Sequence, residues 1–375
     1  MTLTTIIADR IRAAGRMTFA DYMAACLYEP GLGYYTSPGR KVGTEGDFYT
    51  SITVHATFGR VIARQIAAMW RSMGCPPEFT LIEVGAGHGR LACDIMDFLA
   101  ERQPDCYAAT GLILIEQEPS LAEAQATLLT EHSSKLSWLS PADLAGFKFS
   151  GVLYSNELLD AMPVHRVLMT PEGLKEIYVT LEGDQFQDRI DAPSTPELEA
   201  YLTRYGIPLH PGQEAEVSLS GLSWFETVAS ALQHGFILTI DYGWAKADLY
   251  SPQRNLGTLL CYYKHTVEDN PYQRLGHQDI TTHINFSALI ERGEELGLSS
   301  LWFGEQSRFL LAAGIVEELE NIEASDLTEK EKLRLRLTIK RLIMPEGGMG
   351  DTFRVLIQSR GVAEPQLGCL PGTGL

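Results

Sequence analysis

"EVGAGHGR", residues 83–90, stands between an apolar run and a helical pattern. Three glycines at alternate positions make either a turn that a nucleotide could approach or only a tight corner in an α/β fold, and the neighbouring stretches decide between the two. Before it lies "FTLIEVG" (79–85), a short apolar run ending in glycine. After it comes "HGRLACDIMDFLAERQP", with apolar residues at helical spacing and a closing proline. That is strand, turn, helix. "TGLILIEQEP" (110–119) predicts a second strand, followed by a helix through "SLAEAQATLL" that starts at Pro119, a favoured first helical position. "KLSWLSPADL" offers a third strand, "FSGVLYSNE" (149–157) a fourth, "HGFILTIDYG" (234–243) a fifth, and "DTFRVLIQSRG" (351–361) a late one. The alternation implies a Rossmann-like α/β fold, a parallel sheet with helices on both faces.

Two stretches interrupt it. Residues 166–192 carry period-2 patches between turn residues and predict an inserted hairpin. Residues 244–285, rich in Tyr, Asn, His and Gly, show no clear period and read as a long loop. The resulting division is an N-terminal helical cap over 1–78, a main domain over 79–361 with insertions near 166–220 and 244–300, and a tail over 362–375. The opening "MTLTTIIADRIRAAGRMTFADYMAACLY" reads as an amphipathic helix rather than a transit peptide, since Asp9 and Asp21 interrupt its basic character.

Composition narrows the class. At 45% hydrophobic and 21% charged residues, the chain is an ordinary globular protein. No apolar run approaches the roughly 18 residues needed to cross a bilayer, and no secretory leader is seen at the start. The reading is a soluble, cytoplasmic protein, or one of the mitochondrial matrix if the source is eukaryotic. Six cysteines form no CxxC pair and nine histidines no HExxH, so neither a disulfide framework nor a metal site is expected. With 48 acidic against 30 basic residues the formal charge is −18. Such a surface repels phosphate backbones and anionic lipid, which disfavours nucleic acid and membrane as partners, and it attracts a basic peptide or protein. Oligomeric state is not legible.

The glycine spacing then bears on chemistry. A dinucleotide turn reads G-x-G-x-x-G, yet position 90 is Arg. The pattern here is E-x-G-x-G-x-G over Glu83, Gly85, Gly87 and Gly89, which resembles motif I of class I S-adenosylmethionine-dependent methyltransferases. An NAD-binding or empty Rossmann-like turn is the alternative. Glu116 falls at the carboxyl end of the second strand, where open α/β sheets bind ligands, and offers two acceptor oxygens to two ribose hydroxyls. NAD enzymes use the same device. Asp143 lies where methyltransferases often hold the adenine amino group, or else caps a helix. "SNELLDAMPVHR" ends the fourth strand, and if "ELLD" opens a helix, Glu157 and Asp160 share one face, with Asn156 beside them. The plainer account is acidic residues favoured at a helix start.

With these stretches in view, the chain resembles the MidA-like family of methyltransferases, which includes a mitochondrial complex I assembly enzyme that dimethylates an arginine on a subunit. The resemblance spans nearly the whole chain and rests on "FADYMAACLYEPGLGYYTSPG", "GDFYTS", "LIEVGAGHGRLACDI", "NELLDAMPVHR", "FILTIDYG" and "LIMPEGGMGDTFRVL". Asn156 stands where the family commonly has His or another residue. The resemblance implies a class I methyltransferase sheet, S-adenosyl-L-methionine as cofactor, and an arginine of a protein as acceptor, a complex I subunit being the first candidate. On this reading Glu157, then Asp160, with Asn156 as a neutral acceptor, are expected to orient the guanidinium, while Glu83, the three glycines, Glu116 and Asp143 hold the donor, Tyr49 of "GDFYTS" closing over it and Asp47 binding its amino group. Methylation of another side chain or of a small molecule, and a non-catalytic donor-binding assembly factor, are the rival readings.

Overall fold

The computed structural model describes residues 1–37, 56–116, 118–264, 266–345 and 349–370. The chain forms two units that alternate along the sequence. One draws on the N-terminal segment, Leu159–Phe225 and Tyr242–Glu291; the other draws on the segment ending at Leu158, on Glu226–Asp241 and on the part from Arg292.

The second unit is built on seven strands: β1 (Phe79–Val84), β2 (Thr110–Ile115), β3 (Leu136–Leu139), β4 (Phe149–Asn156), β5 (Leu232–Trp244), β6 (Ser299–Glu305) and β7 (Phe353–Arg360). Their order is β3-β2-β1-β4-β5-β7-β6. The pairs from β3 through β5 are parallel, and β6 runs antiparallel to β7. Strand β4 is buried along nearly its whole length, which explains the continuous apolar run in its sequence. Register aligns the carboxyl ends of the inner strands: Val84 pairs with Ile115 and with Ser155, and Asn156 pairs with Ile240. Whatever follows these strands therefore emerges along one edge of the sheet.

Three helices of this unit matter for that edge: α1 (Thr57–Ser72), α2 (Arg90–Arg102) and α3 (Pro119–Leu128). Helices α1 and α2 approach closely at Gly59, where an added Cβ would lie 2.5 Å from Asp94 Cβ. Arg64 of α1 binds Glu317 and the buried Glu318. After residue 361, Leu367 is buried and the Gln366 N–H donates to Ser72 Oγ at 3.0 Å.

In the first unit, the helix Leu3–Ala14 is the amphipathic element expected from the sequence, capped by Thr2 and buried through Leu3, Ile7, Ala8 and Ile11. An antiparallel sheet holds Met17–Thr18, Gly173–Glu182, His165–Thr170 and Glu214–Val217, with Gln185–Asp191 paired to Gly173–Glu182. The stretch expected as one hairpin is thus three strands of a five-stranded sheet. The expected loop over 244–285 also carries order, a three-stranded sheet of Leu260–Tyr263, Thr266–Glu268 and Asp279–Thr281. Strands of three or four residues are too short to show a period. Among the described residues, no helix is long and apolar enough to cross a membrane, and no cluster of metal-ligating side chains is found.

Candidate functional site

The turn after β1 is made by its glycines. Gly85, Gly87 and Gly89 take φ of +74°, +52° and +82°, a region that side chains with a Cβ rarely enter. Gly89 stands as the left-handed N-cap of α2, and its N–H donates to Ala86 O at 2.8 Å. Gly85 and Gly87 are exposed, and a Cβ on Gly87 would meet nothing within 4 Å. The backbone there faces open space, so a ligand can approach it closely. Glu83 has a partner below the turn: it is buried at 2% exposure and accepts from Tyr154 Oη at 2.9 Å. Burial pushes its carboxyl up to about 7, against the Tyr154 phenol and the Ala92 amide, which favour the charged form.

One side chain ties the turn to the next two strands. Gln125, fully buried on α3, donates through Nε2 to Gly87 O at 2.8 Å and to Glu116 Oε2 at 3.2 Å. Its Oε1 accepts from Trp138 Nε1 at 2.8 Å. Glu116, just past β2, also accepts the Glu118 N–H on Oε1 at 2.9 Å. These bonds fix the plane of the Glu116 carboxylate at the strand end. Asp143 is exposed in a 3-10 turn, Asp143–Gly146, and accepts from Ser140 Oγ at 2.6 Å. Asp47 and Tyr49 lie outside the described residues.

At the end of β4 the helix expected from "ELLD" is absent. Residues 157–162 form bends and a turn. Glu157 takes a φ of +54°, incompatible with a helix start, so the argument that placed Glu157 and Asp160 on one helical face does not hold. Asn156 Nδ2 donates to Glu157 Oε1 at 2.9 Å, while Asn156 Oδ1 is buried without a hydrogen-bond partner. The Glu157 N–H donates to Ile240 O at 3.0 Å, and the Leu158 N–H to Oδ2 of the fully buried Asp241 at 3.1 Å. Leu158 also covers Gly85, since a Cβ added there would stand 2.9 Å from Leu158 Cδ1.

Asp160 belongs to the first unit, where the Thr282 N–H donates to its backbone oxygen at 2.9 Å. Its charge, with that of Asp279, adds to burial in raising the phenols of Tyr28 and Tyr35. Tyr35 donates to both oxygens of Asp279, at 2.9 and 3.0 Å.

The second unit thus brings the glycine turn, Glu116, Asn156 and Glu157 to the carboxyl edge of one sheet. Gln125, Tyr154 and Asp241 were not singled out by sequence reasoning. Only Asp241 left a trace, as the acidic residue closing the apolar run "FILTID", much as Glu83 sits near the close of "FTLIEV". The open backbone at Gly87, a fixed carboxylate one strand away and a buried amide oxygen without a partner suit a hydroxylated nucleoside with a reactive group toward β4.

Residues 61–304 match the model of a family described as "Putative S-adenosyl-L-methionine-dependent methyltransferase". The mouse protein named Protein arginine methyltransferase NDUFAF7, mitochondrial, is 28% identical over 92% of this chain and 81% of its own length. The Drosophila melanogaster homolog is 28% identical over 100% of this chain and 88% of its own. A crystal structure from Burkholderia thailandensis, bound to S-adenosyl-homocysteine, is 30% identical, with a TM-score of 0.87 over 99% of this chain and 94% of that one.

Proposed function

The chain belongs to that family of S-adenosyl-L-methionine-dependent methyltransferases, and from this premise we propose that it methylates an arginine side chain of a protein. The observation that carries the reading is the end of β4, where a glutamate stands in a left-handed conformation beside a buried, unpartnered amide oxygen.

S-adenosyl-L-methionine supplies an electrophilic methyl group. Gly85, Gly87 and Gly89 would cradle it, Glu116 would accept from the ribose hydroxyls, and Asp143 would accept from the adenine amino group. Glu83, tied to Tyr154 and α2, braces the turn from beneath.

Guanidinium is a planar cation that stays protonated below a pH of about 12, so its nitrogens are poor nucleophiles. A carboxylate forms charge-assisted hydrogen bonds to it and fixes its plane. Glu157 fills that role, and Asn156 Oδ1 adds a neutral acceptor. Once a nitrogen gains its methyl group it must release a proton, which the Glu157 carboxylate can receive. Orientation and electrostatics carry the rate.

The relatives named as mitochondrial arginine methyltransferases support a protein acceptor. A subunit of respiratory complex I is the first candidate, in the compartment where that complex is assembled.

The test is single-turnover transfer from labelled donor into protein, with the labelled site read by mass spectrometry. Glu157→Gln keeps the size and one acceptor oxygen but removes the charge. Transfer should fall by on the order of 10²-fold or more at every donor concentration, while donor affinity stays within about threefold. Label on a residue other than arginine, or normal transfer by Glu157→Gln, would refute the assignment.

A further inference from the structure

We propose that Asp241 is a positioning residue for Glu157, holding the 157–158 backbone in the conformation that aims the glutamate. The inference rests on the assignment of Glu157 to the acceptor site.

Strands β4 and β5 are paired in parallel with Asn156 opposite Ile240, so residues 157 and 241 leave the sheet side by side. At that point the chain adopts a φ of +54° on a residue with a full side chain. Glycine would fit this conformation without strain, and a glutamate persists in it only where the surroundings hold it. The holding comes from β5, through the bond from the Glu157 N–H to Ile240 O and the bond from the Leu158 N–H to Asp241 Oδ2. The second is made to a carboxylate at 0% exposure. A buried hydrogen bond is electrostatically stronger than one in water, and a buried N–H that loses its acceptor is costly. Asn156 Nδ2 fixes the glutamate from the other end, at Oε1. Glu157 is thereby held at backbone and carboxylate, with Asp241 governing the backbone. Leu158 packs over Gly85 by its side chain.

The experiment combines Asp241→Asn, Glu157→Gln and Glu157→Gly. Asp241→Asn keeps shape but exchanges one carboxylate oxygen for an NH2 group that cannot accept, so kcat should fall on the order of 10- to 100-fold with the KM for donor within about threefold. In a Glu157→Gln background the same change should cost less than about twofold, because its effect runs through Glu157. An equal loss in both backgrounds, or an unchanged kcat in the first, overturns the proposal.

Glu157→Gly should lose transfer and melt higher by about 1–3 °C, the signature of relieved strain. With Asp241→Asn present that gain should shrink by at least half. A lower melting temperature, or an undiminished gain, also overturns it. Should Asp241→Asn not fold, Asp241→Ser takes its place in both comparisons. If the wild-type protein transfers nothing to arginine, the function proposed above fails, whereas the melts still decide whether Asp241 holds this backbone.

Discussion

Glu83 lies beneath the donor turn with its carboxyl raised to about 7, which makes it a source of pH-dependent stability. In the folded protein the proton is held more tightly than in the unfolded chain, where the group titrates near 4.5. Its contribution is therefore full below about pH 4.5 and is lost as pH rises through about 7, a change of at most about 3 kcal/mol. Denaturant melts of the wild type and Glu83→Gln at pH 5 and pH 8 check this. The variant resembles the protonated form, so the stability difference between the two proteins should shift in its favour toward pH 8; the same difference at both pH values would refute the account. The acidic first position of the glycine motif was read from spacing alone as a ligand group. Spacing does not reveal that Tyr154, one strand away, donates to it.

Helix α3 shows how an element acts on the site through a single side chain. Gln125→Ala would leave Gly87 O and Trp138 Nε1 without their bonds and release one oxygen of Glu116. Stability should drop by about 1–3 kcal/mol, and donor affinity should fall roughly tenfold as turn and carboxylate lose their alignment. Thermal melts beside calorimetric titration with S-adenosyl-homocysteine test both, and unchanged affinity would limit Gln125 to packing. Nothing in "SLAEAQATLL" marks this glutamine, because its importance comes from what faces it across the fold. The inner strands were legible for the opposite reason: β1, β4 and β5 are buried on both faces and read as apolar runs. Strand β6, "SSLWFGE", was not, since it is a half-exposed strand at the edge of the sheet. Glu116 and Glu157 could be placed by counting to the ends of strands. The left-handed turn at Glu157 could not, because a glutamate carries no local preference for it and the bonds from β5 impose it.

At the scale of the whole molecule, the charge of −18 should act on the acceptor rather than on the donor. An arginine-bearing basic segment is drawn in at low salt, when the screening length is about 30 Å at 0.01 M, and much less at 0.1 M, where it is about 10 Å. The acceptor KM should thus rise on the order of tenfold over that range, with kcat nearly constant. Steady-state kinetics at several salt concentrations measure this, and a KM independent of salt would mean that the acidic surface serves solubility alone. The order of the strands has a separate consequence, for synthesis. Strand β7 (353–360) is made after both of its neighbours, yet its place is between β5 and β6. Until it arrives, β5 has an open edge and β6 has no neighbour to join. An open edge is a template for pairing with other chains, so a nascent chain stalled before residue 353 is an aggregation hazard for as long as it waits. The sheet closes only once synthesis has passed residue 360, so a chain cut short before that point leaves β5 and β6 apart.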